Sequence, residues 1–184
     1  VNQSGATPGV VRVQAFDAND AIHLTNVTIT VGDATIAAQN AATMGMQANG
    51  INYGGGNAVI DRLVATVGTV SSVKPITAAR AVLLSALAFG GTLLDSSLTT
   101  TGQIAGDDYA LRLEGLAQPA GPSPVIARNV FRASGGSGAT QRVVSIEDHG
   151  VTFTQNIVIG DGAPASSVGL TVAYTSGGSR DASY

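Results

Sequence analysis

The sequence predicts an all-β fold, a solenoid of about five to six stacked coils forming one domain over residues 1–184. Three observations carry this expectation. A short phrase recurs, most plainly as Val125-Ile126-Ala127-Arg128-Asn129-Val130 with Gly135 after it, and as Thr152-Phe153-Thr154-Gln155-Asn156-Ile157 with Gly160 after it. Looser forms stand at Leu94-Asp95-Ser96-Ser97-Leu98, Ile60-Asp61-Arg62-Leu63-Val64 and His23-Leu24-Thr25-Asn26-Val27. The closing apolar residues fall at 27, 64, 98, 130 and 157, in steps of 37, 34, 32 and 27, and a period of a few tens of residues signals a repeat architecture. The second observation is a column of short Val-, Leu- and Ile-rich runs ahead of each phrase, bounded by Gly, Ser, Asp or Pro as strands are. The third is that no helix-length amphipathic run intervenes, so each repeat must bury its apolar face against the next.

In chain order, the first coil opens with a strand from Val10 to Phe16 and turns at the polar corner Asp17-Ala18-Asn19-Asp20. Its second strand alternates Val27, Ile29 and Val31 with Thr28 and Thr30, which points aliphatics inward and hydroxyls outward. The opening strands of the later coils are expected at Met44 to Ala48, Val82 to Leu87, Ala110 to Leu113, Val143 to Ile146 and Val168 to Tyr174, with a phrase supplying each second strand. The connections at residues 33–43 and 69–81 are longer than their later counterparts, and each has room for a third strand, at Thr35-Ile36-Ala37 and Ser72-Val73-Lys74. Gly54-Gly55-Gly56-Asn57 reads as a wide turn, because a phosphate cradle would need a following Lys-Ser/Thr and a helix N-terminus. Pro119 to Pro124 reads as a stiff loop that starts a strand directly after the proline.

Composition narrows the function classes. Only 11% of the residues are charged against 44% hydrophobic, so the chain is not a charge-driven disordered one, and its 24 glycines serve the many corners. A net charge of -3 with scattered arginines offers no basic patch, and nucleic acid is not an expected partner. No apolar run is long enough for a transmembrane segment. Zero cysteines excludes disulfide frameworks, thiol catalysis and Cys-ligated zinc. Few Lys and Glu beside abundant Ala, Gly, Ser and Thr point to an extracellular or cell-surface location. No signal peptide is visible at the N-terminus, as in a mature secreted chain or a fragment.

Stacking brings together residues about 30 positions apart in sequence, since neighbouring strands lie about 4.8 Å apart. On the phrase alignment Asp61 and Asp95 share a column, with Ala127 and Thr154 above them. Two stacked carboxylates can hold a hard cation such as Ca²⁺ or share a proton as an acid/base pair; the simpler reading, preferred here, is two solvated turn residues. Asn26, Ser97, Asn129 and Asn156 form a further column, read as a structural turn ladder. Glu147-Asp148-His149-Gly150 is the densest polar cluster; carboxylates can orient a histidine for acid/base work, but the cluster matches the polar corner of the first coil and is read as one. His23 falls at a nominally apolar position and is expected to pack. Asn2-Gln3-Ser4 and Asn26-Val27-Thr28 fit the glycosylation acceptor pattern.

The phrases Ser123-Pro124-Val125-Ile126-Ala127-Arg128-Asn129-Val130-Phe131 and Gly150-Val151-Thr152-Phe153-Thr154-Gln155-Asn156-Ile157 resemble repeats of right-handed parallel β-helix proteins of the pectate-lyase-like superfamily. The resemblance covers about 160 residues and is one of pattern. It implies a right-handed parallel β-helix, as does the general preference for right-handed parallel crossovers. That superfamily holds polysaccharide lyases and hydrolases, phage tailspikes and non-enzymatic surface proteins, so the implied fold is firmer than any activity.

The function expected is a structural or adhesive component of an extracellular surface, with a polysaccharide lyase or glycoside hydrolase as the alternative. Were it an enzyme, the sequence would nominate Asp61, Asp95, Asp148 and His149, with Arg62 and Arg128 nearby and Ca²⁺ as the cofactor. Eight aromatics give no clear platform for sugar rings. Neither end shows a capping helix or a charged, proline-bearing edge, so the expected partners are further coils of a longer solenoid or other copies of the chain, and glycans.

Overall fold

The computed structural model describes residues 10–18, 21–36, 45–53, 58–72, 78–85, 91–114, 123–147 and 150–173. Every regular element among them is a β-strand. The first circuit of the chain is β1 (Val10–Ala18), β2 (Ile22–Thr25), β3 (Thr28–Val31) and β4 (Ala34–Ile36), and the second is β5 (Gly45–Tyr53), β6 (Ala58–Asp61), β7 (Val64–Val67) and β8 (Val70–Ser72). The third is β9 (Ala78–Ser85), β10 (Thr92–Leu94) and the first half of β11 (Ser97–Glu114), which runs on into the opening strand of the fourth. The strands β12 (Val125–Ala127) and β13 (Val130–Glu147) repeat that arrangement, followed by β14 (Thr152–Thr154), β15 (Ile157–Gly162) and β16 (Ser166–Ala173).

These strands pair only in parallel, each with its counterpart one circuit away. The five short strands β2, β6, β10, β12 and β14 form one sheet. A second ladder runs from β3 through β7 and the first halves of β11 and β13 to β15; a third runs from β1 through β5, β9 and the second halves of β11 and β13 to β16. A circuit therefore carries three strands where the sequence pattern suggested two. At three or four residues, the β2-type strands are too short for alternation to mark, so the recurring phrase looked like a strand. It is in fact the corner between two strands. In Ile126-Ala127-Arg128-Asn129-Val130, the first two residues end β12 and the last begins β13.

The register corrects the phrase alignment by one residue in two places. Thr28, Val64, Ser97, Val130 and Ile157 are the true column, in steps of 36, 33, 33 and 27; Val27 and Leu98 had been taken for Thr28 and Ser97. The error has a cause: the pattern sought an apolar residue, whereas this outward position accepts Thr and Ser as readily as Val. The extra strand expected in the longer connections is present as β4 and β8, paired Ala34 to Val70 through Ile36 to Ser72. Ala37, Val73 and Lys74 lie outside the described residues, as do Gly54 to Asn57 and Pro119.

Inward positions stack like on like. Leu24, Ile60, Leu93, Ile126 and Phe153 form one interior column, and Ile29, Ala65, Leu98, Phe131 and Val158 another. The Phe131 and Phe153 rings stack at 5.8 Å between centroids. Ile60, Leu93, Leu98, Ile126 and Phe131 are fully buried, which is worth about 1.5–3 kcal/mol for each large side chain. Circuits approach so closely at Gly91 that a Cβ there would strike the backbone carbonyl of Ala58. His23, expected to pack, is instead exposed on the outer face of β2, where its Nε2 lies 3.1 Å from the Thr25 hydroxyl.

Candidate functional site

The corner between the β2-type and β3-type strands is the most regular feature of the molecule. Asn26, Arg62, Asp95, Arg128 and Gln155 occupy it in successive circuits, and all five adopt left-handed backbone angles, with φ of 55, 51, 49, 58 and 55°. Non-glycine residues seldom take this conformation. Here the neighbouring circuit holds it: the amides of Asn26, Arg62, Asp95 and Arg128 donate to the carbonyls of Asp61, Leu94, Ala127 and Thr154 at 3.1–3.2 Å.

The next residue inward is Val27, Leu63, Ser96, Asn129 or Asn156, and here runs the amide ladder. Asn129 Nδ2 donates to the Leu93 carbonyl and to Asn156 Oδ1, while Asn129 Oδ1 accepts the Ser96 amide at 2.9 Å. Asn156 Oδ1 also accepts the Asn129 amide, and Asn156 Nδ2 donates to the Ile126 carbonyl. One circuit earlier, Ser96 Oγ accepts the Leu63 amide and donates to the Leu94 carbonyl. The ladder is real at Asn129 and Asn156 but passes through Ser96, not Ser97, which begins β11 on the outer side. Asn26 belongs to the left-handed column beside it.

The same register separates the two carboxylates nominated as a pair. Asp61 stands beside Thr25 and Leu94, and Asp95 is level with Arg62 and Arg128 in the corner column. Each acid faces a guanidinium: Arg62 contacts Asp61 at 2.7 Å, and Arg128 grips both oxygens of Asp95 at 2.7 Å. The Arg128 hydrogen bonds hold the Asp95 carboxyl below its ordinary range. Asp61 and Asp95 thus act as separate partners of arginine rather than as a shared site. Asp148 and His149 lie outside the described residues. Among the described residues, no three of His, Asp or Glu converge as metal ligands, and no helix is long and apolar enough to cross a membrane.

A second cluster, on the outer face of the β11 and β13 second halves, escaped the sequence pattern. Glu114 and Glu147 are register partners, and Arg112 bridges them at 2.7 and 3.1 Å. Arg112 also lies over the Tyr109 ring, 5.2 Å from its centroid. The Tyr109 hydroxyl donates to Asp107 Oδ2 and accepts from Arg142 Nη1, each at 3.0 Å. Ser145 Oγ donates to Glu147 at 3.1 Å. Burial pushes the Tyr109 hydroxyl above its ordinary pKa. Only Glu147 had been singled out from the sequence. The usable signal was the 33-residue step: Arg112 to Ser145 and Glu114 to Glu147 repeat at the interval of the strands themselves.

Directly behind this face, Asp108 is fully buried. The Thr100 hydroxyl donates to its Oδ1, while Oδ2 has no hydrogen-bond partner. Its register partner Gln141 is satisfied, donating to the Ala133 and Asp161 carbonyls and accepting from Ser167. Comparison with protein-family models, with curated proteins and with solved structures finds no match to this chain.

Proposed function

We propose that the circuits form a right-handed parallel β-helix serving as a structural or adhesive element of an extracellular surface, self-associating or built into a longer fibre. One observation carries this reading: side chains that resemble a reactive site are cross-ties between circuits. Asp95 to Arg128, Asp161 to Arg132, Glu147 to Arg112 and Asn156 to Asn129 each join one circuit to its neighbour. Arginine–carboxylate and amide pairs repeated along an axis stiffen a rod. The handedness follows the strong preference of parallel crossovers, and the surface location follows the composition.

A second reading, polysaccharide lyase or glycoside hydrolase, draws support from the stacked Glu114 and Glu147 beside Tyr109, an arrangement of acids that can serve proton transfer. Turnover of acidic polysaccharides, measured with and without Ca²⁺, separates the two. The structural reading expects no turnover together with binding to cells or glycans. Turnover abolished by Glu147→Gln, Asp61→Ala or Asp95→Ala would replace it with the enzymatic one.

A further inference from the structure

The interior of the molecule is closed along its length and open at both described ends. Seven hydrophobic residues pack against the core while staying partly exposed: Ile22, Leu24, Val27, Ile29, Val158, Leu170 and Val172. The first four belong to the first circuit and the last three to β15 and β16. Their counterparts in the middle circuits, such as Ile60, Leu98 and Val144, are completely buried.

The two ends match each other. Carrying the observed register one step past the last circuit sets Phe153 on Leu24, Val158 on Ile29, Thr154 on Thr25 and Gln155 on Asn26 of another copy. Apolar meets apolar, hydroxyl meets hydroxyl and amide meets amide. The backbone rule extends as well. Corner amides donate forward to the strand end of the following circuit, as Arg128 does to Thr154, so Gln155 N–H would donate to the Thr25 carbonyl of the next copy. In the opposite direction, the Ile157 amide donates to the Asn129 carbonyl, which assigns the next copy's Thr28 N–H to the Asn156 carbonyl.

Sheet edges that must stay single carry charges or prolines that repel another strand. Here β14, β15 and β16 contain one charged residue, Asp161, and Arg132 of the preceding circuit holds it. The strands β2 and β3 contain no Lys, Arg, Asp, Glu or Pro. We infer that the β14–β15–β16 end of one copy docks head to tail on the first circuit of a second copy, with Thr154 beside Thr25. This rests on the self-associating β-helix proposed above and fixes the surface and register of that association.

The absence of cysteine from the sequence makes the register directly testable. In the double variant Thr25→Cys/Thr154→Cys, neighbouring copies would hold the thiols at strand spacing, about 4.8 Å between Cα atoms and within disulfide reach. Thr25→Cys/Thr152→Cys is offset by two residues, about 8 Å apart and beyond that reach. Under mild oxidation the first variant should give a ladder of covalent dimers, trimers and larger species, and the second no more than the single variants. Light scattering of the unmodified chain should show mass rising with concentration. Equal cross-linking in both double variants, or a monomer at every concentration, would overturn the docking. The wider functional reading falls separately, on polysaccharide turnover and glycan or cell binding.

Discussion

At the scale of single residues, Asp108 is the chemically most exceptional side chain. It is fully buried, with one hydroxyl donor and an unpartnered oxygen. Burial pushes its carboxyl from the ordinary 3.8 up to about 6, against a smaller opposing effect of the Thr100 hydrogen bond. The folded state therefore holds this proton more tightly than the unfolded chain does. The resulting stabilisation is complete below the unfolded value near 3.8, falls as pH climbs toward 6, and is lost above it. A rise of that size is worth about 3 kcal/mol. Asp108→Asn keeps an acceptor for Thr100 and removes the titration. Thermal denaturation across pH 4 to 7 should show the wild type losing stability relative to this variant, mostly between pH 4 and 6, with the variant ahead at neutral pH. A constant difference across the series would show that Asp108 titrates at its ordinary value.

At the scale of an element, the corner does more than reverse the chain: its side chains supply the partners that a turn's backbone lacks. Removing the Asn129 side chain would strand the Ser96 amide and the Leu93 carbonyl in the interior. At about 1–3 kcal/mol for each buried unsatisfied group, Asn129→Ala should cost about 3 kcal/mol or more in urea denaturation, while Ser97→Ala, on the outer face, should stay within about 0.5 kcal/mol. A large loss at Ser97 would contradict the ladder as placed. This corner also marks where the sequence was legible. The Ile126-to-Val130 and Phe153-to-Ile157 phrases were visible because amides and bulky aliphatics recur there at a nearly constant interval. The earlier corners use Leu63 and Val27 in the ladder position, which satisfies packing but breaks the polar pattern, and the alignment slipped by one at Val27 and Leu98. Such a slip exchanges inward for outward residues, enough to place Asp61 beside Asp95 on paper and beside Leu94 in the structure. The Tyr109 cluster was hidden for another reason: its members alternate with interior residues along two strands 33 positions apart, and only the register brings them together.

At the scale of the whole molecule, a stack in which each circuit touches only its neighbours should have stability that varies along its axis. Middle circuits have two neighbours, as the completely buried Leu93, Leu98, Ile126 and Phe131 attest, whereas the end circuits leave Ile22, Leu24, Val158 and Leu170 partly exposed. Opening an end circuit breaks one interface, and opening a middle one breaks two. Backbone amides of β10 to β13 should therefore exchange with solvent at least about tenfold more slowly than those of β2, β3, β14 and β15 in dilute protein. If copies dock end to end, raising the concentration restores the missing interface, so protection should increase in β2, β3, β14 and β15 and hardly change in β10 and β12. Mass-resolved hydrogen exchange at two concentrations reads both effects at once. Uniform protection along the axis would mean that the circuits open as one unit. A gradient indifferent to concentration would leave the nearest-neighbour stack standing and remove the contact between copies.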